Sequence, residues 1–309
     1  MFRFMVILAG LLAASDAAGK VLNVEFKFTP FTGDPDKADV VETVPGHAVV
    51  WMNNVPIAEQ DIEKEEVPVL FDEREIAASI WVPTESLGGV VRQGKNVIRI
   101  EFTPTDGRKA YRSQLRWSSV MDETTERQDG NSNTSTNQAD EGVDDRPAKA
   151  GPVSFERTFT AEFAQDQPWH HWPAVTALTD ADRKALAGLV DQRIAAFTPD
   201  FKGVYALIEK SGELDVPAIR SAKCLDKAWA AGIRIVTPPA GDIEYLTTGN
   251  AEVVVRGKSG PLFAPKDMSA FEAIEDPDMQ MCIGSALAGV FPPRMVAVKS
   301  PDGTWNVAY

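Results

Sequence analysis

In the stretch VLNVEFKF, Leu22, Val24, Phe26 and Phe28 alternate with polar neighbours. A period of two sends successive side chains to opposite faces of an extended chain, so the run reads as a half-buried β-strand. HAVVWMNN, SIWV, NVIRIEF and KAYRSQLRW continue in the same style, with Pro and Gly breaking the chain between them. Several short strands at this spacing predict a β-sandwich. PVSFERTFTAEF resumes the alternation at Val153, Phe155, Phe159, Ala161 and Phe163, and is expected to rejoin that sandwich.

Between these runs lies MDETTERQDGNSNTSTNQADEGVDDRPAKA, residues 121–150, with eight acids, three bases and almost no apolar residue. Such a composition buries too little surface to offset the entropy of ordering, so the stretch is expected to be a flexible acidic excursion from the sandwich.

The last third starts differently. Thr179 followed by Asp182 resembles a capping box with Asp in place of Glu. Leu186, Leu189, Val190, Ile194 and Phe197 then form a helical stripe. A second helix is anchored by Tyr205 and Ile208, and a third is expected over 216–231. Strands follow at IRIV, IEYL and AEVVVRG, then one around MQMCIGSALAGV. A closing hairpin turns at Ser300-Pro301-Asp302-Gly303. The layout is thus two domains: an all-β sandwich over 20–165, then an α+β domain over 173–309.

MFRFMVILAGLLAASDAAGK opens with Arg3, a short apolar run and then small residues, the pattern of a secretory signal peptide over 1–19. No later run is long enough to span a bilayer. Export to an oxidising compartment predicts a disulfide between Cys224 and Cys282, the only cysteines. Each sits among small residues on its element, which lets a helix approach a strand closely.

Two family resemblances accompany these patterns. VVWMNN (Val49 to Asn54) and GKNVIRIEF (Gly94 to Phe102) resemble strands of galactose-binding-like sandwiches, over residues 40–105. Asn54 stands where that family has Gly at a tight turn. The resemblance implies carbohydrate binding or a structural module. Residues 175–309 resemble an NTF2-like α+β cone in the order of their elements, helices first and then an antiparallel meander ending in GTWNVAY. That likeness implies a small-molecule binder, an enzyme or an interaction module, but the region contains no histidine to carry the family's catalysis.

The chain lacks HExxH, CxxC, GxSxG, P-loop and GxGxxG motifs, which lowers the standing of the familiar hydrolases and nucleotide enzymes. A net charge of −14 disfavours nucleic acid as a partner. Trp169, His170, His171 and Trp172 concentrate two of the three histidines. Adjacent residues do not share a face, so the pair is a poor metal site. The motif is expected to be an aromatic plug at the domain junction and a candidate binding element. Asp34, Asp36 and Asp39 read as a solvated turn rather than a calcium loop. Arg112 and Arg116 share one strand face, opposite Tyr111, Leu115 and Trp117, and are candidates for recruiting an acidic partner or the acidic excursion in cis. Trp51 and Trp81 lie in apolar runs and are expected to serve the core.

These observations lead to an exported, non-enzymatic binding or scaffold protein of the cell envelope, without cofactor or metal. It would engage a protein partner, as an inhibitor or immunity protein does. Two alternatives stand beside it: carbohydrate binding through the sandwich, with Trp51 or Trp81 as stacking platforms, and an enzyme working in the C-terminal cone.

Overall fold

The structure is a computed structural model and describes residues 20–70, 74–126, 132–211 and 214–308. The expected signal peptide lies outside the described residues. The first part is built of strands: β1 (Lys20–Thr32), β2 (Val40–Thr43), β3 (Gly46–Met52), β4 (Val55–Ile62), β5 (Glu66–Pro68), β6 (Ile80–Pro83), β7 (Gly94–Pro104), β8 (Tyr111–Glu126), β9 (Ser132–Lys149) and β10 (Val153–Ala161). One sheet runs β5-β2-β1-β8-β9, with β6 also paired to β1, and a second runs β10-β7-β3-β4. Their apolar faces meet. Phe26 and Phe28 of β1 pack with Val50 and Met52 of β3, Ile98 and Ile100 of β7 and Phe155 of β10. Phe28 and Phe155 meet edge to face at 5.6 Å between centroids, a favoured aromatic arrangement.

β3 turns into β4 through Asn53 and Asn54, which both have positive φ, 51° and 64°. Two left-handed residues match the twist of a two-residue hairpin, and Asn tolerates that region better than most side chains. The turn therefore closes with Asn54 where the resembling family has Gly.

The acidic stretch corrects an expectation. β8 and β9 are antiparallel partners from Tyr111↔Lys149 to Glu126↔Ser132. What composition marks as flexible excursion is, over 132–149, an edge strand. Apolar burial is not the only source of order. Here a backbone ladder satisfies the polar main chain, and side chains act across the strands instead. Arg112 Nη2 donates to Asp145 Oδ2 at 2.8 Å, and the Arg146 guanidinium lies 4.4 Å from the Phe155 ring centroid. Charge along an edge also discourages pairing with other chains.

The second part comprises α1 (Asp180–Ala195), α2 (Lys202–Ser211), α3 (Val216–Ala222), α4 (Cys224–Ala230), β11 (Ile235–Val236), β12 (Ile243–Thr247), β13 (Glu252–Gly257), β14 (Ala264–Pro265), α5 (Ser269–Glu272), α6 (Pro277–Val290), β15 (Arg294–Lys299) and β16 (Trp305–Val307). β12-β13-β15-β16 form an antiparallel sheet. α1 begins in the expected reciprocal cap: Thr179 N donates to Asp182 Oδ2 at 3.0 Å, and Asp182 N to Thr179 Oγ1 at 3.2 Å. The same carboxylate accepts from Lys299 Nζ at 2.6 Å and Trp305 Nε1 at 3.0 Å, tying the helix start to the last hairpin.

Two element assignments change. The expected third helix breaks at Lys223, whose φ is 56°, into α3 and α4. The run around MQMCIGSALAGV is a helix, α6, not a strand. Asp276 caps it, Pro277 occupies its first turn, and Met279, Ile283, Ala286, Leu287 and Val290 are buried at helical spacing. Cys224 and Cys282 do form a disulfide, with Cα atoms 5.9 Å apart. It joins α4 to α6, helix to helix.

The sheet of the second part is apolar on both faces. Val253, Val255, Met295 and Ala297 pack with the helices. Val254 and Val296, with Leu246, join the core of the strand-built part. Polar contacts surround this seam. Arg92 Nη2 meets both carboxylate oxygens of Glu252, at 2.5 and 2.6 Å, and Glu252 is only 3% exposed. Asn54 Nδ2 donates to the Thr248 carbonyl at 2.9 Å. Arg256 pairs with Glu59, and Arg294 donates to the Ile57 carbonyl.

Two predictions follow from these contacts. Removing Arg92 strands a buried carboxylate, a change that costs about 3–5 kcal/mol in comparable pairs. Arg92→Ala should lower stability on that scale in urea unfolding, and the Arg92→Ala/Glu252→Ala pair should cost clearly less than the sum of the single changes. Additive losses would show that the pair is not coupled.

The Asp182 carboxyl is held well below the usual carboxylate range, by Lys299 first, then Thr179 and Trp305. Its folded value lies below the unfolded one of about 3.9, so its contribution is present above that pH and fades as pH falls towards the folded value. Asp182→Asn should lower the thermal midpoint at neutral pH, and the gap to wild type should narrow progressively below about pH 4. A gap that stays constant with pH would exclude the charged carboxylate as its source.

Candidate ligand-binding face

The outer face of the first sheet carries exposed side chains of mixed character. In register, Trp81 of β6 opposes Lys27 of β1, Lys27 opposes Arg116 of β8, and Arg116 opposes Val143 of β9. Opposed residues of antiparallel strands project to the same side, so these four form one row across four strands. At the usual strand spacing the row is about 14 Å long. The reason for its composition is local. Ile80 and Val82 are buried, so the residue between them must face outward, and Trp81 is 59% exposed. This corrects the expectation that Trp81 serves the core. Trp51 also points away from the core. It sits half-buried on the other sheet, where its Nε1 donates to Glu101 at 2.9 Å and the Arg99 guanidinium lies 4.9 Å from its ring centroid.

The centre of the row is held by Glu75. Its carboxylate accepts from Lys27 Nζ at 2.8 Å and lies 3.7 Å from Arg116 Nη1. Beside it is a depression of about 140 Å³, where Glu25, Ser118 and Glu141 add acceptors and a hydroxyl to Lys27 and Arg116. Donors and acceptors thus lie side by side on the sheet, with Trp81 one strand over from Lys27 in register.

The residues singled out in sequence do not converge. Arg116 belongs to this face. Arg112 is on the same side of β8 but is occupied by Asp145, and its guanidinium lies 5.4 Å from the Phe31 ring centroid. Trp169, His170, His171 and Trp172 are elsewhere, around a single 3₁₀ turn over Pro168–His171. The His170 ring is buried. Its Nδ1 accepts from Gln167 N at 3.2 Å, and its Nε2 lies 3.0 Å from the Gly89 carbonyl, which it can meet only as a donor. Trp169 packs edge-on against it at 5.8 Å. The His171 ring is exposed and meets Asp166 at 2.6 Å. Arg92 Nη1 donates to the His170 carbonyl at 3.3 Å, so the motif adjoins the ion pair at the seam. Among the described residues no cluster of three or more His, Cys, Asp or Glu is arranged to hold a metal, and no helix is long and apolar enough to cross a membrane.

The chain matches no protein-family model, no curated protein and no solved structure.

Beneath the face, Trp117 points inward opposite Gly142 of β9, and the Arg157 guanidinium stacks 3.3 Å from its ring centroid. A Cβ on Gly142 would come within 2.1 Å of the indole. Glycine in a strand ordinarily costs about 0.5–1 kcal/mol relative to alanine, but here the added methyl displaces a packed ring. Gly142→Ala should therefore destabilise, by about 1–3 kcal/mol in urea unfolding. A stabilising Gly142→Ala would show that Trp117 does not lie over β9.

Proposed function

We propose that this is an exported, non-enzymatic binding protein whose ligand is a carbohydrate taken on the outer face of the first sheet. The single observation that carries the reading is the exposed Trp81 in register with Lys27 and Arg116. An indole offers a flat apolar face at low cost in conformational entropy. A sugar ring has apolar C–H faces and a rim of hydroxyls, and matches an aromatic platform beside coplanar donors and acceptors. The Cys224–Cys282 disulfide supports residence in an oxidising compartment, outside the cytosol.

A protein partner is the second reading. Val143, 46% exposed, ends the row opposite Trp81. A strip that is apolar at both ends, with Trp and Arg in it, also suits a protein interface.

A glycan array and a pull-down from cell envelope separate the two. Carbohydrate binding predicts saturable signals on the array that weaken about 30-fold in Trp81→Ala, with unfolding midpoints unchanged because the side chain is exposed. An envelope protein captured by wild type but not by Trp81→Ala, with a blank array, would replace the carbohydrate reading by the second. Equal binding by Trp81→Ala in both assays would remove this face from the function.

A further inference from the structure

A second cleft, of about 610 Å³, opens where the strand-built part meets the loop after β13. One wall is β3 and β4, with His47, Glu59 and Asp61; the other is the segment Arg256-Gly257-Lys258-Ser259-Gly260-Pro261, with Arg294 beside it. We propose that this cleft binds a tetrahedral oxyanion, a phosphate or sulfate carried as a monoester on a larger molecule. The inference is independent of the carbohydrate face.

The walls are fixed by contacts among their own side chains, and they carry two carboxylates, Glu59 and Asp61, as well as the cations of Arg256 and Arg294. Arg256 is shared between Glu59 and Glu244, His47 Nδ1 meets Asp61 at 2.8 Å, and Arg294 donates to the Ile57 carbonyl. These ties hold both walls in place before a ligand arrives, which spares the ordering cost of binding.

The loop supplies what the walls do not. Gly257 is packed so closely that a Cβ would meet the Gly260 carbonyl oxygen at 2.5 Å, so the chain doubles back between them. Lys258 N donates to the Asp242 carbonyl at 2.8 Å and Lys258 Nζ to the Gly241 carbonyl at 2.6 Å. The ammonium has three protons, so two remain. Among the described residues nothing accepts from the Ser259 or Gly260 amides, or from the Ser259 hydroxyl. A compact cation beside adjacent unspent amides and a hydroxyl is the donor set that oxyanions select. The cleft is many times the volume of one such group, since even a water in the liquid occupies only about 30 Å³. The remaining space suits the organic part of an ester.

Equilibrium dialysis of the full chain at constant ionic strength tests this, with inorganic phosphate, inorganic sulfate, a sugar monophosphate and a sugar monosulfate as probes. One saturable site is expected, with an ester held more tightly than its free anion; the better of the two esters identifies the source. Lys258→Gln should weaken binding about tenfold, and Lys258→Arg should restore part of it. Both variants should keep the wild-type unfolding midpoint, because Lys258 is exposed. Lys95→Gln, an exposed lysine on β7, should bind as wild type does. The proposal fails if no probe binds saturably up to about 10 mM, if Lys258→Gln is indistinguishable from wild type, or if Lys95→Gln weakens binding equally. Esters bound no better than free anions would overturn the monoester assignment.

Discussion

The structure depends on one sheet having two apolar faces. Val254 and Val296 face the strand-built core, while Val253, Val255, Met295 and Ala297 face the helices. An antiparallel sheet often leaves one face to water, with a polar residue at every second position. β13 does not: Glu252 to Val255 are all buried. Once Val254 and Val296 are committed to the first core, the helices need only cover the opposite side. The polar groups at the seam must then find partners there, as Glu252 finds Arg92 and the Thr248 carbonyl finds Asn54. The turn at Asn53 and Asn54 is part of the same arrangement. Asn53 Nδ2 donates to the Val90 carbonyl and to Asn96 Oδ1, and the Asn96 side chain in turn bonds the main chain of Arg92.

Much of this was legible in the sequence, for reasons that differ by element. Period-two alternation located β3, β7 and β10, and β1 from Val24 to Phe28; Leu22 falls out of the alternation because the register with β8 shifts between Val21 and Asn23, leaving it exposed. The cap at Thr179 and Asp182 was legible because its geometry is local. That Asp182 also binds Lys299 and Trp305 was not, since those residues lie more than a hundred positions away in the chain. Helix α6 was missed although its start is written in EDPDM, an acidic cap followed by Pro in the first turn. The run of small and apolar residues after it fits either period. The disulfide was expected from two cysteines, a compartment and small neighbours that allow close approach; the bond forms, but between two helices, because small residues let α4 and α6 approach as closely as a helix and a strand.

The acidic stretch and Trp81 show two distinct ways in which composition misleads. For β9 the side chains do not hold the strand in place through burial; the ladder with β8 and cross-strand charge do, and neither appears in a count of apolar residues. For Trp81 the sequence contained the answer. IWVP alternates like its neighbours, and if Ile80 and Val82 face inward, Trp81 cannot. The periodicity of the run, not the hydrophobicity of the residue, decides which way Trp81 faces.

That outward indole bears on where function can reside. The inner faces of the first two sheets are spent on each other, and both faces of the third are covered. Outer sheet faces, edges, the rim of the seam and the outer sides of the helices, where Met281 is exposed, remain open. On the outer face of the first sheet, the Phe31 end is covered by Val41, Val67, Val69 and Ile76. At the two ends of the row Trp81 and Val143 are exposed, while Glu75 lies over Lys27 and Arg116 between them. A large aromatic side chain gains nothing for folding by remaining exposed, and it adds risk of association. The outward position of Trp81 follows from the burial of Ile80 and Val82 on either side of it, and it shares its strand register with Lys27, whose ammonium is held by Glu75.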